Sequence, residues 1–580
     1  MPSVPDSRTP TSWLVAGLFL LTLPNAVGVF VHPNFGESLL IFVYSVALIL
    51  LPHSLGAPLR GSLFVWLPTV LLVPAAALYY GFTAYPVNAW ALLVLTETNV
   101  DELASFAFPC LIIVVISPVV TWLAWHIFRR RIPAGAGLPS LVRVMVCLTV
   151  FLFPAIEFAK LGLGFGWMPS LARGEKMFPE GLLIGAIKAT ELRNKLVDRS
   201  GVQKDITASA PPQASGRRDV HLLVIGETCR YQNWSLHGYA RETSPKLAAT
   251  PGLLDFTNVA SGASYTAMSV PMILTGATPG NHAGAAGMPS VASYFRAAGY
   301  KVYWLSTPNK HGLGDTTCSR YAQDAHESKF LSGLVDATGF GSFRTVFDSA
   351  IIPEIHDILA KGEPHVLIVC HTMGSHSNYA DRYPQDFARY PADPTACPIA
   401  RLKPVLAAED KEVLQNAYDN SIAFTDNVLA GVIHELAAIP NAASTFCFVP
   451  DHGENGADAS MMAFAHGTNT EDVLHVPMFM WMSPQYEKVE PRKAALLRSR
   501  TNVALSSFQV IHTLTDLAGI TANGLDRDQS LCSSTYTERP RKVVSKNGVT
   551  ILDYDEIITS EHKRGGWHPL NPRPAVAARQ

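Results

Sequence analysis

Long apolar runs at the N-terminus constrain the fold of this chain more than any other feature. Five of them are long and apolar enough to cross a bilayer, at residues 13–31, 37–56, 62–82, 107–127 and 139–157. Because a bilayer offers the backbone no hydrogen-bond partners, such runs fold as helices. The sequence therefore predicts a transmembrane domain of five helices over residues 1–157.

Arginines in the short loops between the runs predict the orientation of this domain. Arg60 lies between the second and third runs, and residues 129–131 are three arginines between the fourth and fifth. Loops rich in Lys and Arg stay in the cytoplasm, so everything after residue 157 is expected outside it. The outward loop Pro86–Ser105 is either an interfacial helix with a solvated loop, or a polar lip that meets a lipid headgroup.

Residues 158–218 are predicted to bridge the membrane domain and a soluble domain. The segment Phe178–Val197 has the spacing of an amphipathic helix, which lies either on the membrane surface or on the soluble domain. The segment Asp205–Arg218 is rich in Ser, Ala, Pro and Gly, which is typical of a flexible connector.

From residue 219 to 580, apolar runs and helical patterns alternate. Buried strands are predicted at 221–226, 301–305, 365–370, 445–450 and 476–482. Helices are predicted between them, notably at 290–299, 347–361 and 408–437. This alternation predicts an α/β domain with a mostly parallel central sheet, in which ligands bind beyond the carboxyl ends of the strands.

Polar residues at the ends of three predicted strands indicate a metal site. Glu227, His371 and Asp451 each lie within one residue of a strand end. Two carboxylates, the imidazole of His452 and the hydroxyl of Thr266 would make an oxygen-rich site suited to Zn²⁺. His371 is either part of this site or a histidine of the core.

A metal site with a hydroxyl indicates group transfer. Coordination lowers the pKa of a bound oxygen, and attack on phosphorus by Thr266 would give a covalent phosphothreonine. His376 and His466 could bind the phosphoryl oxygens, hold a second metal or protonate the leaving oxygen. Other hydroxyls compete for the role of nucleophile, namely those of Ser264, Ser269, Thr257 and Thr275.

The net charge argues against a nucleic-acid partner, and the cysteine content predicts no disulfide framework. The net charge is −2, which offers no basic surface for a nucleic acid. The eight cysteines contain no CxxC pair and no regular spacing, so the sequence predicts no particular disulfide.

The motifs together resemble those of the phosphoethanolamine transferases of the Gram-negative cell envelope. That family includes the lipid A transferases and the mobile colistin-resistance enzymes, and it belongs to the alkaline phosphatase and sulfatase superfamily. The motifs that carry the resemblance are Gly226–Arg230, Asn233–Tyr239, Thr266–Pro271, His371–His376, Asn416–Ser421, Asp451–Glu454, His466–Gly467 and Val476–Met478.

The resemblance implies a role for each matching residue. Thr266 would be the nucleophile, and zinc would be held by Glu227, Thr266, Asp451 and His452. His376 and His466 would act beside it in catalysis, and substrate contacts are implied for His376, His466, Lys310 and His371. The implied donor is phosphatidylethanolamine, and the acceptor is lipid A, lipopolysaccharide core or a periplasmic glycan. The implied location is the bacterial inner membrane, with several spans and a periplasmic catalytic domain.

One departure from the family concerns the turn that carries the nucleophile. Family members have a disulfide flanking this turn, whereas Gly262 and Met272 occupy the two positions here. The turn is therefore predicted to be held by packing alone.

Three other functions compete with the transferase. A phosphodiesterase or sulfatase of the same superfamily is one, although no Cys/Ser-x-Pro-x-Arg motif surrounds Thr266. A glycerol phosphate transferase is another, and its motifs fit less well. A non-catalytic envelope scaffold is the third, against which stands the joint presence of Glu227, Thr266, Asp451 and His452.

Overall fold

The computed structural model of the chain forms two compact units, one N-terminal and one that extends from Arg193 onward. It describes residues 11–31, 35–83, 86–89, 91–93, 107–163, 177–197, 206–210, 217–309, 317–334, 343–344, 346–376, 378–392, 408–456, 466–545 and 548–563. The boundaries drawn from the sequence at residues 157 and 218 remain predictions.

The N-terminal unit is helical, as its apolar runs predict. Its helices are Thr11–Val31, Phe35–Ser54, Leu59–Val65, Val73–Thr83, Ala107–His126 and Ser140–Leu163, with a 3₁₀ turn at Leu67–Leu72 and a π turn at Ile127–Arg131. Buried apolar side chains between them include Leu21, Ile49, Leu63 and Phe128.

Three described helices are long and apolar enough to cross a membrane, namely Ser12–Val31, Phe35–Ser54 and Ile113–Arg131. A fourth candidate is a pair of helices, Leu59–Val65 and Leu67–Gly81, bent by 46°. The last predicted span lies in the helix Ser140–Leu163, of which Ser140–Phe151 is an apolar stretch. The apolar helices are thus confirmed, and the count of five stays a prediction.

The predicted bridging segment does form a helix, Glu180–Val197. Phe178, just before this helix, is held by the side chain of Asn25. The Asn25 amide group donates to the carbonyl of Phe178 at 2.8 Å and accepts from the Phe178 N–H at 3.2 Å. The polar part of the predicted outward loop, Thr96–Glu102, lies outside the described residues.

The C-terminal unit is built on an eight-stranded sheet. In chain order the strands are β1 (Arg218–Gly226), β2 (Leu254–Ala260), β3 (Lys301–Ser306), β4 (Glu327–Phe330), β5 (His365–His371), β6 (Ala442–Pro450), β7 (His475–Met482) and β8 (Leu505–Ser506). Their order across the sheet is β8-β2-β7-β6-β1-β5-β3-β4. Only the pairs that involve β7 are antiparallel, so the sheet is mostly parallel, as predicted.

Helices cover both faces of this sheet, which is why its central strands are apolar without alternation. On β1, Leu223 and Ile225 pack into one apolar core, and Leu222 and Val224 pack into the other. The longer covering helices are Thr266–Thr275, Ile351–Ala360, Ala408–Ala437, Pro491–Ser499 and Val510–Leu517. Shorter helices are Pro245–Ala248, Val291–Ala297, Thr317–Tyr321, Glu471–Leu474 and Pro484–Val489, and Tyr554–Lys563 follows the last hairpin.

The five predicted strands and three predicted helices are all present, and three strands of the sheet were missed. Small two-stranded sheets join Ala208–Ser209 to Thr521–Ala522, Gly333–Leu334 to Phe343–Arg344, and Lys542–Val544 to Ile551–Asp553. Within the described part of the chain, six cysteines are free, namely Cys147, Cys229, Cys318, Cys370, Cys447 and Cys532.

Candidate metal centre

Two neighbouring parallel strands bring the principal acidic residues together. Strands β1 and β6 run side by side with Gly226 paired to Pro450, the last residue of each strand. The next residues, Glu227 and Asp451, therefore leave the sheet at the same edge. The N–H of Asp451 extends the pairing by donating to the carbonyl of Gly226 at 3.0 Å.

Glu227, Asp451 and His452 form a compact set of side chains that could hold a metal ion. One ligand atom from each lies within 4.8 Å of the others, and all three side chains are buried. His452 Nε2 is 3.2 Å from Asp451 Oδ2 and 3.6 Å from Glu227 Oε1. The sequence-predicted ligands are thus brought to one point at the carboxyl edge of the sheet.

The backbone fixes the tautomer of His452. Its Nδ1 lies 2.8 Å from the carbonyl of Gly453, which can only accept, so Nδ1 carries the proton. The lone pair of Nε2 then faces Glu227 and Asp451. Burial lowers the pKa of His452 to about 4, which keeps the imidazole neutral, as a metal ligand must be.

The charges of this cluster fit a divalent cation. Burial, and secondly the charge of Asp451, raise the pKa of the Glu227 carboxyl well above its usual range. Asp451 Oδ2 is buried and makes no hydrogen bond to any described residue. A cation among these atoms would satisfy that oxygen and let both carboxylates ionise. Two carboxylates and one imidazole, with an open fourth position, is a donor set that Zn²⁺ accepts.

The hydroxyl of Thr266 lies beside these three side chains. It is the first residue of the helix Thr266–Thr275, and its side chain is half-buried. Its Oγ1 donates to Glu227 Oε1 at 2.9 Å and lies 3.4 Å from His452 Nε2. A helix N-terminus also stabilises negative charge, which suits a hydroxyl that must become an alkoxide or carry a phosphoryl group.

The competing hydroxyls have other surroundings. Ser269 donates to the carbonyl of Asp451 at 2.6 Å, Thr275 to the carbonyl of Pro271, and Thr257 to the side chain of Asn502. Ser264 is fully buried, and its hydroxyl makes no hydrogen bond to the described residues.

Packing occupies the place of the flanking disulfide. A Cβ atom on Gly262 would lie 2.8 Å from Cε and 3.3 Å from Sδ of Met272, so the thioether rests directly on the glycine backbone. Met272 and its neighbour Ile273 are fully buried. The turn before Thr266 is therefore held by the Met272 side chain, which packs against Gly262, a residue without a side chain.

Two further histidines lie beside the metal-binding cluster. The ring of His466 is centred 4.6 Å from that of His452, and the ring of His376 is 5.6 Å from that of His466. Behind His466 lies Glu454, whose Oε2 is 3.6 Å from His466 Nδ1 and whose side chain is buried. Burial raises the pKa of Glu454.

The remaining predicted contacts have less support. His371 is the last residue of β5, and its side chain is buried, which lowers its pKa to about 4. Its Nε2 makes no hydrogen bond to the described residues. A role in binding substrate stays a prediction for His371. Lys310 lies outside the described residues, so its role also stays a prediction.

The sequence patterns did not indicate Thr228, which has a left-handed backbone with φ of 57°. This conformation is uncommon for a β-branched residue, and such residues concentrate at functional sites. Tyr418, on the helix Ala408–Ala437, secures the same segment: its hydroxyl donates to the carbonyl of Thr228 at 2.9 Å and accepts from the N–H of Arg230 at 2.8 Å. Both residues lie in motifs that carry the family resemblance, Gly226–Arg230 and Asn416–Ser421, but the motifs did not indicate these contacts.

Asp348 was also missed. Its buried carboxylate accepts from the N–H of Met373 at 2.9 Å and from the N–H of Gly374 at 2.8 Å, and it also accepts from the hydroxyl of Thr307. These bonds fix the loop that carries His376. Asp348 falls in the first turn of the predicted helix 347–361, where an acidic residue indicates nothing more than a helix start.

Comparisons with known proteins agree on one group of enzymes. The family model described as Sulfatase matches residues 220–520. Phosphoethanolamine transferase EptC of Escherichia coli strain K12 is 25% identical over 512 residues, which cover 83% of this chain and 84% of that protein.

Two solved structures share the fold. The C-terminal periplasmic domain of EptC from Escherichia coli, crystallised in complex with zinc, is 24% identical with a TM-score of 0.52 over 62% of this chain and 100% of that one. The integral membrane protein lipooligosaccharide phosphoethanolamine transferase A of Neisseria meningitidis is 19% identical with a TM-score of 0.65, over 90% of this chain and 98% of that one.

Proposed function

The chain belongs to the sulfatase family, and we propose that it is a membrane-bound phosphoethanolamine transferase. Its donor would be phosphatidylethanolamine, and its acceptor lipid A, lipopolysaccharide core or a periplasmic glycan. The observation that carries this proposal is the position of Thr266 Oγ1, 2.9 Å from Glu227 and 3.4 Å from His452 at the edge of the sheet. The similarity to EptC over most of both chains supports the choice of group transferred.

The proposed reaction has two steps, with Thr266 as the attacking group in the first. Its hydroxyl proton passes to the Glu227 carboxylate, to which it is already hydrogen-bonded, as Oγ1 bonds to phosphorus. The phosphorus–oxygen bond to diacylglycerol breaks, and a proton from His466 or His376 completes the departing hydroxyl. In the second step the same histidine takes the proton of an acceptor O–H group as that oxygen attacks the phosphothreonine. The bond between phosphorus and Thr266 Oγ1 breaks, and the proton held by Glu227 returns to Oγ1.

A zinc ion would be held by Glu227, Asp451 and His452, with Thr266 at the open position. Zn²⁺ bound there would supply Lewis acidity, lowering the pKa of an oxygen ligand and drawing charge from phosphoryl oxygens. Zinc content provides a direct test, since Asp451→Ala or His452→Ala removes a ligand and is expected to lower the metal bound per chain. One zinc per chain in both variants would contradict these ligands.

The proposed location follows from the helices and the basic loops. The apolar helices within residues 1–157 would hold the protein in a bacterial inner membrane with five spans, and residues 158–218 would form the bridging helix and linker. Residues 219–580 would form the catalytic domain in the periplasm, where the donor headgroup of the outer leaflet is within reach. His376, His466, His371 and Lys310 are the proposed substrate contacts.

The transferase can be separated from a hydrolase by following the headgroup. Purified protein is supplied with fluorescent phosphatidylethanolamine, with and without lipid A or a lipopolysaccharide core. Transfer predicts diacylglycerol in at most one equivalent per enzyme until acceptor is added, and labelled acceptor afterwards. Steady release of free phosphoethanolamine without acceptor would identify a phosphodiesterase instead. Mass spectrometry of envelope lipids and glycans after expression would then name the acceptor.

A further inference from the structure

A groove opens on the N-terminal unit where one helix ends and another begins. It has a volume of about 600 Å³ and lies between the end of Phe35–Ser54 and the start of Ser140–Leu163. Ser54, Ser140 and Arg143 line it at this level. Both helix ends adjoin the segments that carry Arg60 and Arg129–Arg131, so the groove opens toward the predicted cytoplasmic side.

Arg143 brings an uncompensated positive charge into the groove. One of its N–H groups donates at 3.1 Å to the carbonyl of Ser54, which lies in the last turn of the helix Phe35–Ser54. A guanidinium has five such donors, and no described carboxylate forms an ion pair with this one. The remaining donors have the fork geometry that suits a phosphate.

An apolar stripe continues the groove away from Arg143. Cys147, Leu148 and Phe151 line it on the same helix. Leu148 is 50% exposed and Phe151 is 61% exposed. From Arg143 to Phe151 the helix rises about 12 Å. The groove therefore has a polar end at Arg143 and an apolar side long enough to contact part of an acyl chain.

We propose that this groove binds an anionic phospholipid, with the phosphodiester on Arg143 and an acyl chain along the apolar stripe. None of the lining residues is acidic, so nothing there receives an ammonium group. The groove therefore favours a headgroup such as that of phosphatidylglycerol over that of phosphatidylethanolamine. Basic pockets between helices on the cytoplasmic side are suited to anionic headgroups. This site is independent of the transfer reaction, whose donor is used on the other side of the membrane.

Native mass spectrometry of the full-length protein in detergent can test the site. Delipidated protein is titrated with phosphatidylglycerol or phosphatidylethanolamine of the same acyl chains. We expect one tightly held phosphatidylglycerol per chain, bound at least about fivefold more tightly than phosphatidylethanolamine, as expected for one favourable arginine contact. Arg143→Gln is expected to remove that preference, and Arg143→Lys, which keeps the charge, to retain most of it.

Arg60→Gln is the matched control, because Arg60 lies on the helix Leu59–Val65 and does not line the groove, so the change removes a positive charge and leaves the groove intact. It is expected to bind phosphatidylglycerol as the unaltered protein does. Since Arg143 also supports the carbonyl of Ser54, Cys147→Phe provides a second variant, which fills the groove and keeps the arginine; it too is expected to lose the lipid. The proposal fails if both lipids bind equally, or if Arg143→Gln and Arg60→Gln weaken phosphatidylglycerol binding equally. It also fails if Cys147→Phe binds phosphatidylglycerol normally, or if a second copy of this chain covers the groove and no lipid is bound.

Discussion

The main-chain N–H of Thr228 donates a hydrogen bond of 3.0 Å to Oδ1 of Asp451. The hydroxyl of the same residue donates to Glu227 Oε1, also at 3.0 Å. Its left-handed backbone, with φ of 57°, is what turns the N–H toward one carboxylate while the side chain reaches the other. One buried residue therefore orients both carboxylates, and it leaves Asp451 Oδ2 directed at the cluster.

We expect Thr228→Ala to weaken zinc binding by about tenfold or more, because loss of an outer partner of a metal ligand typically costs that much. Thr228→Ser keeps the hydroxyl and is expected to restore most of the affinity. Competition with a chromophoric chelator measures the affinity without reference to activity. Zinc bound equally by the alanine variant would show that the hydroxyl does not position Glu227.

Removal of the metal should leave the Glu227 carboxyl buried, and secondly beside the charge of Asp451, with no cation to compensate it. The pKa of Glu227 is raised in the folded protein, so the folded state holds a proton that the unfolded chain loses at lower pH. Metal-free protein is therefore expected to lose stability as the pH rises from the ordinary glutamate pKa to the raised one.

Glu227→Gln tests this, because it removes the charge while keeping the shape. With chelator present, we expect the variant to melt about 2 °C or more above the metal-free parent at pH 8, and the gap to shrink toward pH 5. Added zinc should raise the melting temperature of the parent more than that of the variant. A gap that widens at low pH would contradict the assigned direction of the pKa shift.

The strands that position the site were visible in the sequence because both faces of the sheet are covered. Residues Leu222–Ile225 of β1 and Phe446–Val449 of β6 are unbroken apolar runs. Strand β2 was missed because polar residues interrupt its Leu254–Ala260 segment, β4 because its residues are largely exposed, and β8 because it has two residues. The spacing of apolar residues and the burial of the strands decided which strands could be found, and the β-sheet propensity of single residues did not.

The candidate metal ligands were predictable for a related reason, whereas the residues that orient them were not. Glu227 and Asp451 directly follow two predicted strands, so the parallel sheet alone brings them together. Thr228 and Asp348 act through a left-handed backbone and through bonds to the N–H groups of a loop distant in sequence. Those relations depend on tertiary structure, and no local pattern encodes them.

Gly374 is expected to tolerate no side chain. Its φ is 49°, and a Cβ atom there would lie 2.4 Å from the carbonyl oxygen of Glu227. Gly374→Ala should destabilise the protein by more than about 1 kcal/mol and displace the loop of His376. Gly284→Ala is the control, since a Cβ atom on Gly284 would have no neighbouring atom within 4 Å, and it should be nearly neutral. Thermal melting and zinc affinity are measured for both, and equal behaviour would contradict the close approach.

Topology can be tested independently of chemistry. A reporter that is active only in the periplasm, fused after residue 200, is expected to be active, and a fusion within Arg129–Arg131 is expected to be inactive. Cytoplasmic signal from the first fusion would overturn the orientation, and with it the access of the catalytic domain to a donor in the outer leaflet.

The role of Thr266 gives the most decisive prediction. Thr266→Ala removes the atom proposed to attack phosphorus, and transfer should fall by at least about 10³-fold, as for loss of other catalytic nucleophiles. Thr266→Ser keeps the hydroxyl and should retain measurable activity. With acceptor withheld, mass spectrometry should find phosphoethanolamine on the peptide that contains Thr266, with diacylglycerol already released, and the kinetics should be ping-pong. Direct attack by the acceptor predicts no such adduct.

Ser264→Ala, in the same turn, is the matched control and should leave the adduct unchanged. Full transfer in Thr266→Ala would instead direct attention to Ser264 or Ser269.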